Sequence, residues 1–266
     1  MKQVILCAQD INKFFYTQNG KQIEALKDVS LSVRKHEFVA IVGPSGCGKS
    51  TLLNVLAGLY EPDTGQVLIN GSPSRSSSVK RGHISQADTL LPWRTIMENV
   101  ELGLEIRGMA KKERREIAAM LIKQVGLGGF EKSYPFELSG GMRKRAIIIR
   151  TLAYAPEIIF MDEPFVGLDV QSRDELMDDI LKLWQETKKT ILFVTHDLAE
   201  AITLADRVIL MSARPATVKA EYLVSLPRPR SVAEIKFTPQ FIQLHKRIWR
   251  DLSNEVMKSY RNEASS

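Results

Sequence analysis

The sequence predicts an α/β fold with a mixed, largely parallel sheet, an antiparallel β subdomain at the N-terminus and a helical insert. Continuous apolar runs typical of buried parallel strands occur at 38–42, 158–162, 190–195 and 207–211. Helical patterns separate the later runs, which favours a parallel sheet. Near the N-terminus, apolar residues instead alternate at period two. From about residue 88 to residue 152 the chain is rich in good helix formers.

Each predicted element has a local signal. The pair Asn19-Gly20 favours a tight hairpin turn between the first two strands. A further short strand and turn is predicted at 66–71. Apolar residues that share one helix face, or long runs of helix formers, predict helices over 50–59, 111–125 and 171–186.

The sequence predicts a basic tail at the end of the chain. Residues 226–266 contain eight Lys or Arg and four Asp or Glu. An amphipathic helix is predicted there from apolar residues at steps of three and four, namely Phe241, Leu244, Ile248, Leu252 and Val256. We expect this helix to pack on the core; lipid contact and regulation are the alternatives.

Composition limits the function. The 266 residues, 44% hydrophobic and 26% charged, are typical of a globular protein of one sizeable or two small domains. The apolar runs are shorter than the roughly 20 residues that span a bilayer, and no secretory signal pattern is seen, so we expect any membrane role to be peripheral. Two cysteines, Cys7 and Cys47, indicate neither a disulfide framework nor a zinc site and favour a reducing cytosol. Most of the net charge of +6 lies in the tail, so nucleic acid is not the expected partner.

A glycine-rich segment follows the strand at 38–42 and precedes a helix. It matches the phosphate-loop pattern G-x-x-x-x-G-K-[ST] in full. Its expected nucleotide-binding residues are Gly43, Pro44, Ser45, Gly46, Cys47, Gly48, Lys49, Ser50 and Thr51. We expect Lys49 to reach the β- and γ-phosphates of ATP and Ser50 to coordinate Mg²⁺. Cys47 is interpreted as a small filler whose alkylation blocks the nucleotide.

Two acids end the apolar strand at 158–162. Asp162 is placed to hold Mg²⁺, directly or through water, and Glu163 is the candidate general base for the attacking water. Alone, an Asp-Glu pair at a strand end is commonly a helix N-cap. Together with a phosphate loop it indicates an NTPase.

The segment 138–143 separates this chain from other phosphate-loop proteins. Its residues Ser139, Gly140 and Gly141 resemble the signature of ABC ATPases, and the resemblance runs from about residue 4 to residue 226. It implies an adenine-stacking aromatic, Phe15, with Phe14 and Tyr16 as alternatives. It also implies a Mg²⁺-sensing Gln86, an Asp169 that communicates between protomers, and a His196 that contacts the γ-phosphate.

The same resemblance implies an organisation and a mechanism. An ATPase domain at 1–225 would have a core of 1–87 and 153–225 and a helical signature subdomain at 88–152, followed by the tail at 226–266. The signature residues would close on the ATP of a second copy, giving a head-to-tail dimer at the cytoplasmic face of the cell membrane. Expected partners are two integral membrane permease subunits and a solute-binding protein.

The segment 85–93, together with 138–143 and 162–169, is similar to cassettes of nitrate, sulfonate, taurine and bicarbonate importers. Cassettes for pyrimidine-like vitamin precursors are a second possibility, and a non-transport ABC ATPase acting on nucleic acid or ribosomes is a third. Two residues depart from the family pattern: Lys144 stands where glutamine is common, and His36 where glycine is common. We expect neither to touch the chemistry.

Overall fold

A computed structural model describes residues 3–264, which form two compact units. One, here called the split unit, comprises the chain up to Val79 and from Lys188 onward. The other, the inserted unit, is Lys80–Thr187. Because the inserted unit interrupts the split unit in sequence, motifs far apart along the chain belong to the same unit.

The N-terminal part of the split unit carries an antiparallel sheet. The elements of this part of the chain are β1 (Val4–Tyr16), β2 (Gln22–Arg34), β3 (Phe38–Val42), α1 (Lys49–Ala57), β4 (Thr64–Ile69) and β5 (Ser72–Pro73). The sheet has the order β2-β1-β4-β5. The predicted hairpin turn joins β1 to β2, and Gly20 there has a φ of 75°, a conformation that glycine adopts without steric cost.

The inserted unit contains the predicted helical segment. Its elements are β6 (Arg81–Ile84), α2 (Ile96–Ile106), α3 (Lys111–Gln124), a 3-10 turn (Pro135–Glu137), α4 (Gly140–Ala153), β7 (Ile158–Asp162) and α5 (Val170–Thr187). The three helices α2, α3 and α4 pack against one another, and β6 runs parallel to β7. A capping box between Thr95 and Glu98 starts α2, because each residue satisfies a backbone N–H of the other.

The C-terminal part of the split unit completes a second sheet. Its elements are β8 (Thr190–Val194), α6 (Leu198–Leu204), β9 (Arg207–Met211), β10 (Val218–Leu223), α7 (Val232–Ile235) and α8 (Pro239–Ala264). Within the unit the strand order is β10-β9-β3-β8, with β3 parallel to both β8 and β9. Every residue of β3, β8 and β9 is buried, as their continuous apolar sequences predict. The expected α/β fold is confirmed.

The tail helix α8 packs on the split unit. Its residues Phe241, Ile248 and Leu252 are buried, and α8 contacts α6. The last two residues of the basic tail, 265 and 266, lie outside the described residues. Between residues 3 and 264, no helix has the length and apolar character needed to cross a membrane.

Candidate nucleotide-binding site

The phosphate loop lies between β3 and α1 and takes a shape that requires glycine. At Gly48, φ is 127°, and an added Cβ would lie 2.9 Å from the carbonyl oxygen of Ala25. At Gly43, an added Cβ would lie 3.0 Å from Cβ of Met211. Gly48 is also the N-cap of α1 and supplies no side-chain acceptor to the first helical N–H groups. The loop therefore combines a close backbone approach with a helix N-terminus suited to an anion.

Lys49 is held over this loop. It is 6% exposed, and its Nζ donates hydrogen bonds to the carbonyl oxygens of Gly43 at 3.0 Å and Pro44 at 2.8 Å. A buried ammonium group at a helix N-terminus makes the loop strongly positive. These residues therefore suit the phosphate groups of a nucleotide.

Cys47 points into the protein from the same loop. Its side chain is 1% exposed, and an added Cβ on Gly43 would lie 3.2 Å from its Sγ. Burial raises the pKa of the thiol, although the nearby Lys49 charge acts in the opposite direction. The filler interpretation therefore fits the packing, and the thiol is protonated at neutral pH.

His196 leaves the sheet at the same edge as the phosphate loop. It follows β8, whose Val194 lies opposite Ile41 of β3, and the N–H of Thr195 donates to the carbonyl oxygen of Ile41 at 3.2 Å. His196 itself is exposed. The split unit thus brings the loop and the histidine together, as expected at the carboxyl edge of parallel strands.

Phe15 lies near the end of β1 and is 38% exposed. Its ring meets Tyr60 edge to face, with centroids 6.1 Å apart, and Lys13 Nζ lies 5.7 Å from its centroid. Tyr16 is more exposed than Phe15, and Phe14 is half-buried. Sequence reasoning missed Tyr60, because nothing local in a loop tyrosine signals contact with a strand 45 residues earlier.

The inserted unit groups a second set of candidate residues. Ile84 of β6 lies opposite Met161 of β7, so the two strands end at one edge. Asp162 is the last residue of β7, Glu163 follows it, and Gln86 follows β6. Asp162 is buried. The backbone of Glu163 has a φ of 45°, in the left-handed region that residues other than glycine seldom adopt. Sequence reasoning also missed His83 of β6: burial lowers its pKa, and the charge of Asp162 acts in the opposite direction.

The signature residues begin α4. Ser139 is the N-cap, and its Oγ accepts a hydrogen bond from the Met142 N–H at 3.3 Å. An added Cβ at Gly141 would lie 3.5 Å from Cβ of Ser172. Ser172 in turn donates from its N–H and its Oγ to Asp169, at 2.9 and 2.7 Å, and these bonds lower the pKa of Asp169. Signature and Asp169 segments are therefore neighbours within this unit.

Three cationic side chains of α4 hold the segment that follows Gln86. Lys144 Nζ donates to the Gln86 carbonyl oxygen at 2.8 Å, and Arg143 Nε lies 2.9 Å from Asp88 Oδ2. Arg150 donates to the carbonyl oxygen of Thr89 at 2.6 Å. The long side chain of Lys144 therefore reaches the main chain of a predicted site residue, and the expectation that Lys144 does not touch the chemistry stays a prediction.

His36 occupies a turn between β2 and β3 with a φ of 62°. Glycine adopts that conformation without steric cost, which fits the glycine that the family resemblance implies at this position. The histidine N–H donates to Thr190 Oγ1 at 3.0 Å, and its ring contacts the carbonyl oxygen of Lys188. These contacts join the turn to the start of β8.

The side chains predicted to hold Mg²⁺ carry the kind of oxygen donor that this ion prefers. Ser50, Gln86 and Asp162 offer hydroxyl, amide and carboxylate oxygens, which are hard ligands that Mg²⁺ prefers. Among residues 3–264 there is no group of three His, Cys, Asp or Glu side chains arranged to hold a metal by themselves. Mg²⁺ commonly uses one or two protein carboxylates and takes its remaining ligands from substrate phosphates and water.

Known proteins resemble this chain throughout its length. The ABC transporter family model matches residues 26–166. An uncharacterized ABC transporter ATP-binding protein of Methanocaldococcus jannaschii is 46% identical over 257 residues, covering 97% of this chain and 94% of that protein. The nitrate import ATP-binding protein NrtD of Synechocystis is 39% identical over 88% of this chain and 90% of its own. The taurine import ATP-binding protein TauB of Yersinia pestis is 41% identical over 82% of this chain and 87% of its own length.

A solved structure supports the same relationship. The dimeric ATP-binding cassette MJ0796, in a post-hydrolysis state bound to ADP and Pi, is similar with a TM-score of 0.74 and 33% identity. The similarity covers 84% of this chain and all of that one. The chain belongs to the ABC transporter family, and it is an ATP-binding cassette whose ATPase activity is coupled to transport.

Proposed function

We propose that this cassette powers an importer for a small oxyanion or organic sulfonate from the cytoplasmic face of the cell membrane. Its partners would be two integral membrane permease subunits and a solute-binding protein. The nitrate and taurine import proteins among its relatives support this choice. The observation that carries the ATPase role is Lys49, buried over a glycine-shaped loop at a helix N-terminus.

In the proposed reaction, each side chain has a separate task. The loop N–H groups and Lys49 bind the β- and γ-phosphates, and an aromatic ring, Phe15, stacks on the adenine. Bound Mg²⁺ supplies charge neutralisation at the phosphates, and Ser50, Asp162 and Gln86 would hold it. Glu163 accepts a proton from the attacking water. His196 donates a hydrogen bond to the γ-phosphate.

We further propose that two copies pair head to tail. Ser139 begins a helix of 14 residues, and Gly140 and Gly141 leave its first N–H groups accessible to an anion. The γ-phosphate of the opposite copy is the proposed ligand of this end, and Asp169 lies beside it. The dimeric state of the solved cassette MJ0796 supports the pairing. In this scheme residues 88–152 are the subdomain that faces the permease.

Steady-state ATP hydrolysis with Mg²⁺ tests the assignment of roles. Lys49→Ala should lose ATP affinity, whereas Glu163→Gln and His196→Ala should keep ATP binding and lose turnover by about a hundredfold or more. Glu116→Gln, on the exposed surface of α3, is a matched control and should hydrolyse ATP normally. Normal turnover in Glu163→Gln would show that this carboxylate is not the base.

The transport role is tested separately by reconstituting the cassette with its permease subunits and solute-binding protein. Proteoliposomes that contain the full assembly should take up nitrate or taurine only with ATP. Uptake of a pyrimidine-like compound, and of neither anion, would replace the proposed solute class while leaving the ATPase role intact.

A further inference from the structure

Two arginines of the tail bind the end of the helix that follows His196. The segment from Val224 to Ser231 connects β10 to α7, and Arg228 and Arg230 flank Pro229 within it. Arg230 is 6% exposed, which is unusual for a residue type that is seldom fully buried unless paired. All of these residues belong to the split unit.

The carbonyl groups at the C-terminal end of α6 receive the hydrogen bonds. Arg230 Nη1 donates to the oxygens of Ile202 at 3.2 Å, Thr203 at 2.9 Å and Ala205 at 2.7 Å. Arg228 Nη2 donates to the oxygen of Leu204 at 2.8 Å. Two side chains thus bind four successive carbonyl groups, which a helix end leaves without intrahelical partners.

Such a cap matters because α6 is short. A helix of seven residues is unstable by itself, so it depends on its packing against β3 and α8 and on the contacts made at its ends. Positive charge at the C-terminal end also complements the helix dipole. Burial, and to a smaller degree the charge of Arg228, lowers the pKa of Arg230 to about 10, so it carries its charge at neutral pH.

The other end of α6 is tied to His196. Asp197 is the N-cap and accepts hydrogen bonds from the N–H groups of Ala199 at 2.7 Å and Glu200 at 3.2 Å. Thr195 Oγ1 donates to Glu200 Oε2 at 2.5 Å and accepts from the Asp197 N–H at 3.0 Å. His196 therefore lies between Thr195 and Asp197, both of which are hydrogen-bonded to the first turn of α6.

The arginine segment is also anchored on β3. Arg228 Nη2 lies 2.7 Å from Asp206 Oδ1, and Asp206 Oδ2 accepts a hydrogen bond from the Phe38 N–H at 3.1 Å. Phe38 begins β3, and the opposite end of that strand leads into the phosphate loop. The segment therefore connects α6 to the strand on which the loop is built.

We propose that Arg228 and Arg230 are positioning residues for ATP hydrolysis: by fixing the C-terminal end of α6 against β3, they hold His196 in register with the phosphate loop. The inference rests on the proposed role of His196 at the γ-phosphate. It makes the start of the tail part of the hydrolytic machinery.

A double-mutant cycle between Arg230 and His196 tests the proposal. Arg230→Met should lower kcat roughly tenfold to a hundredfold, as expected when a catalytic group is misplaced by about 1 Å. The Kd of a fluorescent ATP analogue should stay within about twofold, because the phosphate loop is unchanged. Arg230→Lys should restore part of the rate, since lysine keeps the charge with fewer donors. Arg250→Met, an exposed tail arginine 75% accessible in its side chain, is the matched control.

Non-additivity distinguishes positioning from general destabilisation. If Arg230 acts through His196, adding Arg230→Met to His196→Ala should leave the residual rate unchanged, whereas independent effects would multiply. A multiplied loss, or a normal kcat in Arg230→Met, would overturn the inference. If His196→Ala itself hydrolyses ATP normally, the role of His196 is wrong and the inference falls with it. Should Arg230→Met fail to fold, Arg228→Met takes its place in the same cycle and is judged by the same outcomes.

Discussion

Lys144 Nζ donates a hydrogen bond of 2.8 Å to the carbonyl oxygen of Gln86. The two residues are 58 positions apart in sequence, one on the signature helix α4 and the other after β6. Lys144 is half-buried, and burial lowers the pKa of its ammonium group, while the charge of Asp88 acts in the opposite direction. A residue that departs from the family pattern therefore links two motifs of the predicted site.

Removal of this link should slow hydrolysis more than it weakens ATP binding. We expect Lys144→Ala to lower kcat by about threefold to tenfold, which corresponds to the loss of one hydrogen bond of about 1 kcal/mol. Lys144→Gln, which restores the common family residue and an N–H donor, should lose less. Steady-state rates and ATP titrations check both variants. An unchanged rate in Lys144→Ala would show that the contact has no functional consequence.

Cys47 should react slowly in the folded protein. Because its side chain is 1% exposed and burial raises its pKa, we expect N-ethylmaleimide to modify it at least about tenfold more slowly than in the unfolded chain. Mass spectrometry of a Cys7→Ala variant measures this rate at a single thiol.

Once modified, Cys47 should no longer permit ATP binding, because the adduct has no room beside Gly43. Cys47→Ala serves as the control and should bind ATP normally. Rapid labelling of the folded protein, or normal ATP binding by the labelled form, would contradict the packing described for this loop.

Tyr222 should make stability depend on alkaline pH. Burial, together with the hydrogen bond from its hydroxyl to Asp251 Oδ2 at 2.6 Å, raises its pKa to about 12 from an ordinary value of 10.0. Since the folded-state pKa lies above the unfolded one, the stabilisation is complete below pH 10 and is lost as pH rises toward 12. The loss should be on the order of 2–3 kcal/mol.

Urea unfolding at increasing pH measures this contribution. The stability advantage of the wild type over Tyr222→Phe should shrink between about pH 9 and about pH 12. Tyr260→Phe provides a matched control, because Tyr260 is 65% exposed on α8. Parallel declines of wild type and Tyr222→Phe would show that the phenol does not titrate with the proposed shift.

Local sequence signals were sufficient for the strands, the phosphate loop and the hairpin turn. The apolar run of β3 follows from burial on both faces of the strand. The glycines around Lys49 allow a close backbone approach, and the pair Asn19-Gly20 allows a positive φ. These features do not depend on distant parts of the chain.

Contacts between distant residues could not be predicted in the same way. The bonds from Arg230 to α6 and from Lys144 to Gln86 depend on where separate elements pack, and a lysine or an arginine in sequence has no preferred partner. The ring contact of Tyr60 with Phe15 and the proximity of His83 to Asp162 belong to the same class. Only the tertiary arrangement within each unit reveals them.

The most direct test is the mass of the Glu163→Gln variant in solution, measured by size-exclusion chromatography with light scattering. We expect a monomer without nucleotide and a dimer with ATP and Mg²⁺, because turnover is blocked and two ATP molecules join the copies. Adding Ser139→Glu should preserve ATP binding and prevent pairing, since a carboxylate would face the γ-phosphate. A Glu163→Gln protein that binds ATP and stays monomeric, or that pairs equally well with Ser139→Glu, would contradict the proposed head-to-tail dimer.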